Sequence, residues 1–133
     1  MSDITASLLQ RAWRKVDVKL SIGGEMHILR WRRGLFIDEV LFDDRRVATA
    51  AGLFNRETIY GLSIDAGEGR EVKLVLMIDP QPDWTNWSGD QRPRGLRLAS
   101  AAAALIAVGS LGPDRVEPFR QLYDRAIKVF GLS

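Results

Sequence analysis

Between Val16 and Asp79 apolar residues recur at every second position, and that period constrains the fold more than any other feature of the chain. In VDVKLSI, Val16, Val18, Leu20 and Ile22 alternate with Asp17, Lys19 and Ser21, the pattern of a strand with one face buried and one in water. Gly23-Gly24 follows, a pair that tolerates the positive φ of a tight hairpin turn. EMHILRWR reads as the returning strand, Arg33-Gly34 as a second turn, and LFIDEVLF as a third strand ending at Asp43-Asp44. A short RRVATAA strand comes next, and TIYGLSID and REVKLVLMID flank the turn residues AGEG. Six strands in series predict an antiparallel meander over residues 16–79, arranged as a β-sandwich or half-barrel.

The flanks read differently. SDITASLLQRAWRK places Ile4, Leu8, Leu9, Ala12 and Trp13 on one helical stripe, with Asp3 or Thr5 as the N-cap, and predicts a short N-terminal helix. After the meander, Pro80, Pro82 and Pro93 break DPQPDWTNWSGDQRP, so residues 80–94 are expected to form a tryptophan- and proline-containing loop. GLRLASAAAALIAVGSLG then predicts an alanine-rich helix in which Ala99, Ala102, Ala103 and Ile106 pack closely on a neighbour. Pro113 suits the start of a second helix, and Val116, Phe119, Leu122, Tyr123, Ala126, Ile127 and Phe130 repeat at helical spacing before Gly131. Residues 95–130 are therefore expected to be a helical hairpin. The expected class is α+β: a six-stranded meander, a short N-terminal helix and a C-terminal helical hairpin. At 133 residues, 46% of them apolar, the chain suits a single domain over 1–133.

Composition narrows the chemistry. With no cysteine and one histidine, there is no disulfide framework, no thiolate nucleophile and no Cys- or His-rich metal site within one chain. No cofactor is expected. The net charge is only +2, yet its distribution is uneven: nine basic against seven acidic residues over 1–46, three against seven over 47–91, and seven against three over 92–133. The opening residues lack the basic flank, apolar run and cleavage site of a secretory signal, which points to a cytoplasmic protein. Residues 98–113 carry no charge but fall short of the ~20 residues needed to span a bilayer, which argues against a membrane partner.

The runs VDVKLSIGGEMHILRW, FIDEVLFDDRRVATAAGLF, RETIYGLSID and VKLVLMID, in that order and spacing, resemble one β-rich repeat of the Fas apoptosis inhibitory molecule family. The likeness covers about residues 16–79, with Glu57-Thr58-Ile59-Tyr60 matching the repeat's E-T-[aromatic or aliphatic]-Y core. The family's first-strand tryptophan falls near Val16, with Trp13 displaced, and the segment from Gly95 onward has no counterpart. The resemblance implies a non-enzymatic β-sandwich that acts through protein contacts, and it transfers no site residues.

The chain's one histidine, His27, lies on EMHILRWR on the same face as Leu29 and Trp31 and reads as a half-buried packing residue, since no nucleophile signature accompanies it. Asp79, Asp83 and Asp90 lack calcium-loop spacing and read as turn caps. The glycines match no phosphate-cradling motif. Arg30, Arg32 and Arg33 around Trp31, and Arg92, Arg94 and Arg97 beside Trp84 and Trp87, resemble the arginine–aromatic mixture of single-strand binders. Alternation of Arg30 and Arg32 with Leu29 and Trp31 is equally that of a solvated strand face, and the small net charge argues against nucleic acid.

The candidate ligand- or partner-binding residues are Trp84, Trp87, Arg92, Arg94 and Trp31, with no catalytic and no metal-binding residue proposed. The two loop tryptophans are expected to fold back on the sheet as a lid, with Arg92 and Arg94 as an exposed rim. These features favour a non-catalytic binding or interaction domain whose partner is a protein or a second copy of the chain. The alternative is a small-molecule ligand protein or enzyme with a pocket between sheet and helices. A single-stranded nucleic-acid binder comes third.

Overall fold

A computed structural model describes residues 4–12, 15–34, 37–51, 58–65, 67, 69–79, 95–100, 104–109 and 116–129. These form nine strands and one helix: β1 (Ile4–Ala12), β2 (Lys15–Ile22), β3 (Glu25–Arg33), β4 (Ile37–Phe42), β5 (Arg45–Ala51), β6 (Thr58–Asp65), β7 (Glu71–Asp79), β8 (Gly95–Ser100), β9 (Ala104–Gly109) and α1 (Val116–Val129). Strands β1 to β5 make one antiparallel sheet and β6 to β9 a second, each in sequence order. Strand β5 lies beside β6 and β1 beside β9, so the two sheets face each other and meet along both sides.

Turn chemistry explains the short connections. Gly23 and Gly24 take φ values of 58° and 88°, the conformation that the tight β2–β3 turn requires. The β4–β5 turn uses Asp43 and Asp44 at φ 50° and 67° instead, a conformation that Asp tolerates better than most residues. Between β3 and β4, the Gly34 N–H donates to the Ile37 carbonyl at 3.0 Å. A Cβ on Gly34 would stand only 2.6 Å from that oxygen, so glycine is needed there.

The interior follows from the period of two. Val16, Val18, Leu20 and Ile22 of β2, Leu29 and Trp31 of β3, and Val40 and Phe42 of β4 meet Tyr60, Leu62 and Ile64 of β6, Val72, Leu74, Leu76 and Ile78 of β7, and Leu96 and Leu98 of β8. The opposite face of the second sheet is buried too: Val75, Met77 and Ala99 pack against Tyr123 and Ala126 of α1. Both faces of β7 and β8 are thus removed from water, whereas the first sheet keeps one face polar.

Three expectations are corrected. The N-terminal segment is strand β1, not a helix: Ile4, Ala6 and Leu8 alternate toward the core, and a bulge between Leu8 and Gln10 resets the register. The helical hairpin over 95–130 is replaced by β8, β9 and one helix. The six-stranded meander becomes nine strands in two sheets, so the class is mostly β and not α+β, and the expected single sheet over 16–79 divides between β5 and β6. Strand pairs within 16–79 are all antiparallel, as the alternation requires. The proline-broken loop at 80–94, and with it the lid expected of its tryptophans, falls outside the described residues, as do Ala102 and Ala103.

Candidate functional site

Three groups of polar side chains are built by the first sheet, one on its outer face and two at opposite ends of β3 on its inner face. On its outer face, strand alternation turns Lys15, Asp17 and Lys19 of β2, Arg30 and Arg32 of β3, Glu39 and Leu41 of β4, and Arg46 of β5 away from the core. Five cationic groups share this face with two carboxylates, and the register turns them into a cross-strand ladder. The Arg30 Nε donates to Asp17 at 2.9 Å, and Lys15 Nζ lies 3.6 Å from the same carboxylate. Arg30 also reaches Asp44 at 3.5 Å. Arg32 and Arg46 each stand 3.9 Å from a different oxygen of Glu39, and their side chains are 52% and 64% exposed.

Arg46 reaches this face because of a bulge. Val40 pairs with Ala48 and Leu41 with Arg46, so one residue is skipped. Val47 packs against the core, and Arg46 takes the outward position that regular pairing would give Val47.

On the inner face, at the end of β3 and the start of β4, sits a compact cluster. The Trp31 Nε1–H donates to the Tyr60 hydroxyl at 3.2 Å, joining the two sheets. The Arg33 guanidinium lies over the Trp31 ring at 5.2 Å, and its Nε stands 3.5 Å from Asp38. Burial pushes the Tyr60 phenol up to about 12; Asp38 reinforces that, while the Trp31 hydrogen bond and the Arg33 charge oppose it. This is a buried, charge-compensated arrangement that fixes two sheets relative to each other.

At the other end of β3, His27 stacks on Phe42 with ring centroids 4.8 Å apart, and its Nδ1–H donates to Asp43 at 2.6 Å. Asp43 also accepts from the Ile28 amide at 2.9 Å, which ties the β4–β5 turn to β3. Burial raises the Asp43 pKa, but the His27 and Ile28 hydrogen bonds and the His27 charge outweigh it, so the carboxyl lies below its ordinary range. His27 is therefore the packing residue on the face of Leu29 and Trp31 that its position in the strand implies.

Of the five sequence-derived binding candidates, Trp31 is 2% exposed and belongs to the inner cluster. It faces away from Arg30 and Arg32, and the arginine that shares its face, Arg33, lies over it in the buried cluster, so the indole offers no exposed base-stacking platform. Trp84, Trp87, Arg92 and Arg94 lie outside the described residues. Lys15, Glu39 and Arg46 complete the outer ladder, and no single strand's sequence marks them, because cross-strand register is not written in any one strand. Among the described residues, no three His, Asp or Glu side chains gather as a metal site, and no helix is long and apolar enough to cross a membrane. Comparison with protein-family models, with characterised proteins and with solved structures finds no match.

Proposed function

We propose that this chain is a non-catalytic binding module that meets a protein partner through the outer face of its five-stranded sheet. The observation that carries the reading is the asymmetry of the two sheets. The outer face of the second sheet buries Val75, Met77 and Ala99 under α1, whereas that of the first has no helix packed on it among the described residues and presents Lys19, Arg32 and Arg46 exposed among half-buried Ile28 and Leu41. A mixed face with charged groups around apolar ones matches the composition of protein interfaces better than that of a catalytic cleft. The likeness of residues 16–79 to a family of interaction domains points the same way. The alternative, a ligand pocket between sheet and helix, gains less support: Val75, Met77, Ala99, Tyr123 and Ala126 fill the space between the second sheet and α1 with mutual contacts.

Affinity capture from a cell extract tests the reading, with the wild-type chain, Arg32→Glu/Arg46→Glu, and Lys128→Glu on α1 as a control. Loss of a captured protein in the double variant alone is the expected result. Equal capture by all three, or a small molecule retained in native mass spectrometry of the purified protein, contradicts it.

A further inference from the structure

We propose that the outer face of the five-stranded sheet takes an acidic polypeptide segment, whose carboxylates bind the guanidinium donors that Arg32 and Arg46 leave over from Glu39. The inference rests on the binding-module reading and adds the chemistry of the partner. Each guanidinium offers five N–H donors in a planar fork suited to a carboxylate. Here two guanidiniums share a single carboxylate, each through one terminal nitrogen at 3.9 Å, too long for a hydrogen bond. Glu39 therefore neutralises one charge of the two and takes no hydrogen bond from either guanidinium. Lys15 stands in register beside Arg32, with its ammonium 3.6 Å from Asp17, and Arg46 lies diagonally across in the neighbouring row. Arg30, by contrast, is already fixed on Asp17 at 2.9 Å. The excess positive charge and the free donors coincide at Arg32 and Arg46.

Other occupants fit less well. Two copies of the chain facing each other through this surface would oppose two cationic patches of the same sign. A single-stranded nucleic acid would find no aromatic side chain among the described outer-face residues, and the Trp31 indole is buried on the opposite face. The aliphatic stems of acidic side chains can cover the half-buried Ile28 and Leu41 beside these cations, which phosphates cannot.

Binding of poly-L-glutamate to the full chain, followed by fluorescence anisotropy with oligo(dT) as the competing class, is the test. Wild type binds poly-L-glutamate; Arg32→Ala/Arg46→Ala binds at least about tenfold more weakly, the loss expected for charge-assisted hydrogen bonds. Glu39→Gln binds more tightly than wild type, because the internal competitor is gone. Glu71→Gln, which makes the same net-charge change on the second sheet, binds like wild type. Circular dichroism confirms folding of each variant, which exposed ion pairs affect little. If Glu71→Gln tightens binding as much as Glu39→Gln, or the arginine variant binds unchanged, the inference is overturned. Preference for oligo(dT), lost in the arginine variant, overturns the acidic polypeptide while retaining the binding face. Binding of neither probe overturns the inference, and if extract capture by Arg32→Glu/Arg46→Glu is also unaltered, the binding-module reading falls with it.

Discussion

Tyr60 carries a pH signature that follows directly from its surroundings. Its phenol is held up to about 12 by burial, against about 10 in an unfolded chain. The raised value favours the protonated, folded state, so its contribution is fully present below pH ~10 and is lost as pH rises toward 12, by ~2–3 kcal/mol in all. Tyr60→Phe should flatten that alkaline decline while lowering stability near neutrality by about 1–3 kcal/mol, since the buried Trp31 N–H loses its acceptor. Tyr123, also raised by burial and by Asp124, titrates in both proteins and cancels in the comparison. Denaturant unfolding between pH 7 and 12 checks this; parallel curves for the two proteins would show that Tyr60 is not buried as described. Gly34 gives a second residue-level expectation. Gly34→Ala places a methyl 2.6 Å from the Ile37 carbonyl and should cost about 1–3 kcal/mol as the β3–β4 turn is forced apart. An unchanged melting temperature would mean that the turn relaxes freely.

At the scale of elements, strands with one wet face were legible and strands without one were not. β2 announces itself because Asp17, Lys19 and Ser21 punctuate its apolar residues. GLRLAS and ALIAVG lack that punctuation: Leu96 and Leu98 face the core while Arg97 and Ala99 are buried on the opposite face of the same strand. In β8 burial on both faces erases the period of two, in β9 the exposed Ala107 is as apolar as its neighbours and hides it, and alanine then lends its helix preference to segments that tertiary packing makes strands. ITASLLQRA was ambiguous for another reason. Ile4 and Leu8 satisfy both periods, and the bulge at Leu9 adds the residue that mimics a helical stripe. The candidate face was half legible: alternation alone puts Arg30 and Arg32 in solvent, but Arg46 joins them only through the bulge in β5. Packing at this scale is testable at Ala99, 3% exposed in the cluster with Tyr123 and Ala126. Ala99→Leu should overpack the β8–α1 contact and cost about 1–3 kcal/mol in thermal or denaturant unfolding. A silent substitution would detach the helix from that strand.

For the molecule as a whole, the division of labour between the sheets is the central point. The second sheet packs its inner face on the first sheet and buries Val75, Met77 and Ala99 of its outer face under α1. The first gives only its inner face, where Trp31, Arg33, Asp38 and Tyr60 lock the two layers together, and keeps a charged outer face exposed. On the proposed function, fold rigidity and recognition fall on opposite sides of β3, which carries Trp31 inward and Arg30 and Arg32 outward. The most direct measurement is an amide chemical-shift map of the isotopically labelled chain titrated with poly-L-glutamate. Shifts are expected to concentrate at Arg30, Arg32, Glu39, Leu41 and Arg46, with Gln121 to Lys128 of α1 unmoved. Shifts that gather on α1 or along β7 and β8, with the outer face of the first sheet silent, would contradict it.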